Sequence, residues 1–385
     1  MFSFDACLPT RIISGENTLS AVEEVVKQHG DRVFLVTGKR SMKDAGITDS
    51  LVRDLETRNI SVQVFDKVET NPERNVINEG GRLAREFKSS VVIGLGGGSA
   101  LDAAKAIAVL AAHGGDIWDY VEGKDVEGSP LPIIAIPSTA GTGSEVTPYT
   151  VISDRSLTRK DGFASTLIIP KVAILDDRVM SLADSKLTAY AGLDALSQAV
   201  EAYLTKLAHP YSDMLALESI RLCIQYLGTA VSDGKNSEAR LGMAWASSLA
   251  GMAIALVDVV IGHHASEAIG AVYNTHHGLT AGLLLAPTME FNFAESMDRL
   301  AAIAAPLGVD TAGMSREEKA NSAVTAVRSL YRELGLPETF KDLGVTRASF
   351  PRVMEILTNR MDDLVAGNPK SITPASLEEF LEMIY

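Results

Sequence analysis

The chain has 385 residues, 46% of them hydrophobic and 22% charged, with a formal net charge of −14 at pH 7. That length allows two domains with cores of their own, and the acidic balance argues against nucleic acid and anionic membrane surfaces, which select basic faces. Two cysteines, Cys7 and Cys223, cannot build a disulfide framework, and the opening MFSFDACLPTRIIS lacks the basic and apolar stretches of a secretory leader, so a reducing cytoplasm is expected.

Along the first half, short apolar runs alternate with amphipathic ones. Residues 19–29 and 72–88 carry helical periodicity, while 33–37, 91–95 and 132–136 read as strands. Continuous apolar strands separated by helices predict a parallel sheet covered on both faces, and hence a Rossmann-like α/β domain over residues 1–180. After about Met180 the pattern is helical, with breaks expected at Pro210, Gly234, Pro287, Pro306, Pro337 and Pro351, so residues 181–385 are predicted to form an all-α domain. The most apolar run, 249–261, is interrupted by Asp258 and is too short to span a bilayer; it reads as a buried helix.

Two loops in the α/β half are built for phosphate. Gly94-Leu95-Gly96-Gly97-Gly98-Ser99 follows a strand and precedes a helix starting near Ala100. Glycines let backbone approach a pyrophosphate, and a helix start presents unpaired N–H groups and a positive dipole end. A plain tight turn would use the same string. The second loop, residues 137–145 (PSTAGTGSE), is again small, hydroxylated and glycine-rich, and two such loops after parallel strands outline a nucleotide crevice. In the helical half, four of the seven histidines crowd into GHHASEAIGAVYNTHHG, downstream of the pair Asp194 and Gln198. Neutral imidazole is the commonest nitrogen ligand for zinc and iron, so a divalent metal centre is expected, with purely structural histidines as the alternative.

Together, GGGSALDAAKAIA, IPSTAGTGSEVT, GLDALSQAVEAY and GHHASEAIGAVYNTHHGLTAGLLLAP resemble the iron-containing (group III) alcohol dehydrogenase family, from Pro9-Thr10-Arg11 and Gly15 to the C-terminal helices. The resemblance implies a dehydroquinate synthase-like architecture: a dinucleotide-binding α/β domain, then an all-α metal-binding and substrate domain. It implies metal ligation by Asp194, His263 and His277, with Gln198 standing where the family usually has histidine. Asp194 and Gln198 are four residues apart and share a helical face. An amide oxygen keeps the formal charge of the set but is harder than imidazole, which lowers affinity for late transition metals. Gln198 is therefore read either as a ligand or as a hydrogen-bond partner behind one. Glu267 stands where the family often has another histidine, one turn after His263; it is a candidate proton acceptor or binder of a substrate hydroxyl, or else a solvated helix residue. His264 and His276 are expected to line the pocket or the surface, with His276 a candidate proton relay.

The same resemblance assigns NAD or NADP to the α/β domain. Gly96, Gly97, Gly98 and Ser99 would wrap the pyrophosphate, Asp102 would brace that loop, and Ser138, Thr139 and Thr142 would contact phosphate and the nicotinamide side, with Val151 among the cofactor-binding residues. Lys160 would meet the nicotinamide ribose, or else be a solvated surface charge, and Asn71 would line the adenosine end, or else be a turn residue before Pro72. Gly38-Lys39-Arg40 stands where NAD-preferring relatives often place an aspartate; a missing carboxylate and two cations permit a 2′-phosphate without excluding NAD.

The implied activity is that of an NAD(P)-linked dehydrogenase containing zinc or iron, interconverting a primary alcohol and its aldehyde, with a homodimer paired through N-terminal strands. Exchange of two histidines for Gln198 and Glu267 makes the pocket oxygen-rich, which suits a polyol or a sugar-acid alcohol, as in the 3-deoxy-manno-octulosonate 8-oxidase subgroup. Enzymes like dehydroquinate synthase or glycerol-1-phosphate dehydrogenase share the plan but need cations for a phosphate or carboxylate, which the ligand region offers sparsely. From another class, a nucleotide-binding protein without catalysis would result if Gln198 breaks the metal site.

Overall fold

A computed structural model describes residues 3–157, 159–337 and 339–385. Two compact units divide the chain. One holds Cys7–Asp184 with Gly234–Ala244, and the other holds Ser185–Asp233 and Trp245–Tyr385 with the N-terminal residues up to Ala6.

The first unit is built on a six-stranded sheet of β1 (Arg11–Gly15), β2 (Arg32–Gly38), β3 (Ser61–Val68), β4 (Val91–Gly96), β5 (Ile133–Pro137) and the later β8 (Val172–Asp176), in the order β1-β8-β5-β4-β2-β3. Every neighbouring pair is parallel. Each residue of β4, β5 and β8 is buried, as strands covered by helices on both faces must be. The runs 33–37, 91–95 and 132–136 fall on β2, β4 and β5. The stretch 19–29 is not one helix: a short 3-10 turn, Thr18–Ala21, leads into Val22–Lys27, whose Val22, Val25 and Val26 enter the core.

Outside the main sheet, β6 (Tyr149–Asp154) and β7 (Arg159–Ala164) form an antiparallel hairpin. The sequence RKDGFA carries no strand signal, and the hairpin exists through tertiary contacts. Ser153 N–H donates to Pro72 O at 2.8 Å, and Asp102, on the helix Gly98–His113, accepts from Val151 N–H at 3.1 Å and Ser144 Oγ at 2.7 Å. Beneath it Lys105 is fully buried, donating from Nζ to Tyr149 O at 2.7 Å and Thr147 Oγ1 at 3.2 Å, 4.0 Å from Asp102 Oδ1. Burial pulls Lys105 down to about 8 against the opposing pull of Asp102 and Glu145. It also pushes Asp102 above the usual carboxylate range, despite Lys105, Ser144 and Val151.

Among the described residues strands end at Asp176, and the second unit is helical. Two expectations change. The apolar run 249–261 is two elements: the helix Ser237–Val257 stops, Asp258 takes a left-handed φ of 62°, and Ile261–Tyr273 begins. Aspartate tolerates that conformation because its side chain satisfies local backbone, here by accepting Val259 N–H at 2.8 Å. Pro287 does not end a helix but lies inside His277–Phe291. A proline there costs roughly 3 kcal/mol, and that helix is buried along nearly its whole length, so packing outweighs the loss. Pro210 and Pro351 instead start helices, where the missing N–H costs nothing. Pro210–Ser232 and Ser237–Val257 are long and apolar enough to cross a bilayer, but 44% and 67% of their apolar windows are packed inside the protein, as in core helices.

Replacing Asp102 by alanine leaves Lys105 buried without its nearest carboxylate. Asp102→Ala is expected to lower unfolding stability by about 3 kcal/mol, and Asp102→Asn by less; denaturant titrations followed by circular dichroism measure both.

Candidate functional site

In the second unit, the helix Ser185–Leu204 is buried from Thr188 onward, so its polar residues have no water to satisfy them. Asp194 and Gln198 project from it one turn apart, with 3% and 2% of their surface exposed. The helices Ile261–Tyr273 and His277–Phe291 bring up His263 and His277. Gly278 sets that approach: a Cβ there would lie 2.2 Å from Tyr190 O, so only glycine lets the helix start press against Ser185–Leu204.

Three of the four side chains converge, and Gln198 joins them through Asp194. His263 Nε2 and His277 Nε2 are 3.0 Å apart, and Asp194 Oδ1 is 3.9 Å from the first and 3.5 Å from the second. A tetrahedral ion with bonds of about 2.1 Å spaces its ligands about 3.4 Å apart. Asp194 Oδ1 and Gln198 Oε1 are buried and lack any hydrogen-bond partner, while the Gln198 side chain hydrogen-bonds Asp194. Electron-pair donors gathered in a dry site without donors to meet them repel one another, and a cation removes that cost. The donor set of a carboxylate, an amide and two imidazoles therefore fits a divalent metal of the zinc or iron class.

Protonation tells the same story. Burial pushes Asp194 up to about 6, against the pull of His263 and Gln198. Burial pulls His263 down, but Glu201, Asp194 and Glu267 outweigh it and raise the imidazole to about 9. The carboxylates around His263 favour its protonated form, an excess of negative charge that a bound dication would offset.

Sequence reasoning missed three residues around this cluster. Ser266 Oγ donates to His263 O at 2.7 Å and lies 3.3 Å from His277 Nδ1, so its lone pair accepts the His277 Nδ1 proton and leaves Nε2 free to bind. Glu201, fully buried, accepts the Val260 and His263 N–H groups at 3.0 and 3.1 Å. Its spacing from Asp194 and Gln198, on one helical face, is the signal that could have found it. Arg360 forms an ion pair with Glu267; nothing local in the sequence links residues so distant.

That pair changes the reading of Glu267. Burial alone would raise its carboxyl, but Arg360, His264, His277 and His263 hold it down at about 2. So stabilised, it is a weak proton acceptor and a strong hydrogen-bond acceptor. His264 is buried, whereas His276 is exposed and packs on the Tyr190 ring at 5.0 Å, outside the converging set.

In the first unit the glycine loop and the 137–145 loop follow the C-terminal ends of β4 and β5, while Gly38 ends β2, Asn71 follows β3, and Val151 and Lys160 lie on the β6–β7 hairpin. Gly97 caps the helix Gly98–His113, whose first N–H groups have no intrahelical acceptor. A Cβ on Gly98 would lie 2.9 Å from Thr142 Oγ1, so the two loops interlock. Ser99 Oγ accepts Asn71 N–H at 3.2 Å, drawing the 69–72 loop to the glycine turn. Ser138 N–H donates to Gly96 O at 2.9 Å, and Gly97 faces Thr139. Val151 is held by Asp102, and Lys160 on β7 lies opposite Ser153. Gly38 pairs with Val68, and Lys39 beyond it forms an ion pair with Glu69, which also meets Arg155 at 3.4 Å. The strand end is thus not free of carboxylate: Glu69 supplies from β3's end what β2 lacks.

Residues 9–177 match the family described as iron-containing alcohol dehydrogenase, and residues 188–385 match the C-terminal domain of the Fe-containing alcohol dehydrogenase family. The chain is 35% identical to 1,3-propanediol dehydrogenase of Citrobacter freundii over 384 residues, 98% of this chain and 99% of the relative. It is 32% identical to the NADPH-dependent butanol dehydrogenase of Clostridium saccharobutylicum, over 98% of this chain and 97% of the relative. A crystal structure of 1,3-propanediol oxidoreductase superposes with a TM-score of 0.94 at 32% identity, covering 100% of each chain.

If Gln198 Oε1 is a ligand, exchanging it for imidazole strengthens the site. Gln198→His is expected to tighten Zn²⁺ binding by about 10-fold or more, while His263→Ala abolishes it; competition with a chromogenic chelator reads both. Unchanged affinity in Gln198→His would remove Gln198 from the ligand set.

Proposed function

The chain belongs to the iron-containing alcohol dehydrogenase family, and from that premise we propose that this NAD(P)-linked, metal-dependent alcohol dehydrogenase acts on a small diol or polyol, interconverting its primary alcohol and the hydroxyaldehyde. The convergence of Asp194 Oδ1, His263 Nε2 and His277 Nε2 beside the unpartnered Gln198 Oε1 carries the reading.

Asp194, Gln198, His263 and His277 hold the ion, and Ser266 keeps the His277 lone pair turned toward it. When bound, the ion supplies Lewis acidity, lowering the pKa of a substrate hydroxyl or polarising a carbonyl, and the nicotinamide supplies the hydride chemistry. Gly96, Gly97, Gly98 and Ser99 present the helix start to the pyrophosphate, with Asp102 and Asn71 fixing the loop. Lys39 and Arg40 favour accepting a 2′-phosphate, and the Lys39 pairing with Glu69 keeps NAD usable as well. His276, exposed and next to His277, is the residue proposed to pass a proton to water.

Substrate class rests on Glu267. Kept ionised by Arg360, it accepts a hydrogen bond from a second hydroxyl rather than removing a proton. The Arg360 guanidinium is engaged by that carboxylate, which favours a neutral polyol over a sugar acid needing a cation of its own. The relative that acts on 1,3-propanediol supports the same class. A homodimer joined through N-terminal strands fits the position of β1 at a sheet edge.

Chelator-treated enzyme should lose turnover and regain it with Zn²⁺ or Fe²⁺. In the reconstituted enzyme, Glu267→Gln should lower kcat/KM for 1,3-propanediol by about 10-fold, the worth of a hydrogen bond to a charged group, and leave 1-butanol nearly unchanged. Full activity without metal overturns the metal assignment, and equal loss for both alcohols overturns the diol assignment.

A further inference from the structure

Three contacts converge on Glu201, a residue that touches no expected substrate or cofactor. It lies on the helix Ser185–Leu204, on the face that carries Asp194 and Gln198, and is fully buried. Its Oε2 accepts Val260 N–H at 3.0 Å and His263 N–H at 3.1 Å, closing the start of Ile261–Tyr273, which no side chain at its own N-cap closes. Its Oε1 lies 3.5 Å from His263 Nδ1, and these two buried atoms, which have no hydrogen-bond partner, face each other. Space for this approach comes from Gly262, where a Cβ would lie 3.2 Å from Glu201 Oε1 and 2.2 Å from Thr288 Oγ1.

We propose that Glu201 is a positioning residue for the metal, acting through His263: its carboxylate holds the proton on Nδ1 and so turns the Nε2 lone pair toward Asp194 and His277. This rests on the metal reading of the same site. An ionised carboxylate only accepts hydrogen bonds, so the ring nitrogen facing it must carry the proton. The other nitrogen, 3.0 Å from His277 Nε2, is then left as a donor of electrons. Two anchors on one side chain fix both the backbone that carries His263 and the state of its ring. A partner of this kind typically changes metal affinity 10- to 100-fold.

Glu201→Gln separates the two anchors. Its amide oxygen still accepts the Val260 and His263 N–H groups, but its NH₂ would face Nδ1 and force the proton to Nε2, where it competes with the metal. Wild-type and Glu201→Gln proteins, stripped with chelator, are titrated with Zn²⁺ alone against a chromogenic competitor, and their metal-free melting temperatures are compared. The expected result is about 10- to 100-fold weaker binding with a metal-free melting temperature close to wild type. Affinity within about 2-fold of wild type overturns the proposal, as does a fall in melting temperature with affinity unchanged, which marks a purely structural role. Absence of Zn²⁺ binding by the wild type overturns the metal reading instead. Should the variant not fold, ring-¹⁵N histidine NMR of the unsubstituted Zn²⁺-loaded protein decides: Nδ1–H with a metal-bound Nε2 at His263 supports the proposal, and the opposite tautomer overturns it.

Discussion

A carboxylate withdrawn from water is the constraint on which the helical unit depends. Asp194 sits on a helix buried from Thr188 to Leu204, and an unpaired ion there costs several kcal/mol. The neighbouring elements answer with imidazoles, but neutral imidazoles bring lone pairs rather than charge. The resulting cluster, two facing ring nitrogens and two oxygens without donors, is a poor arrangement for a protein alone and a good one for a protein with a dication. Stability and function are joined at that point, because the ion that activates substrate also cancels the cost of burying its ligands.

Outward from the candidate ligands, three have a polar neighbour close by. Ser266 lies beside His277, Glu201 is 3.5 Å from His263 Nδ1, and the Gln198 side chain bonds Asp194. Arg360 does the same for Glu267, at the price of its basicity. The α/β unit follows a parallel logic: the half-buried Asp102 ties the glycine loop's helix to the 137–145 loop and to the β6–β7 hairpin, with Lys105 beneath. In both units an acidic side chain links segments far apart in the chain, which is how a site made of separate loops keeps one shape.

Much of this was legible in the residues. β2, β4 and β5 are continuous apolar runs, and their parallel pairing follows from the helices between them; crowding marked the histidine cluster, and the family resemblance singled out Asp194, His263 and His277 within the chain. Other features were not, for physical reasons. β7 is polar and is a strand only because β6 and Asp102 make it one. Asp258 breaks a run whose hydropathy looks continuous, since a left-handed turn depends on one side chain bonding its neighbour's N–H. Pro287 persists in a helix because burial on all sides outweighs a local rule. Glu201 lay inside the recognised segment GLDALSQAVEAY, yet its role requires knowing which helix start packs against it. Glu69 was silent because the carboxylate beside Lys39 comes from a different strand.

The proposed activity depends on a single ion bound by one carboxylate, one amide and two imidazoles. Anomalous diffraction at the zinc edge from crystals of the Zn²⁺-loaded enzyme tests it most directly. One strong peak is expected within about 2.0–2.2 Å of Asp194 Oδ1, Gln198 Oε1, His263 Nε2 and His277 Nε2. No peak among those atoms, or a peak held by other residues while the enzyme remains active, would contradict it.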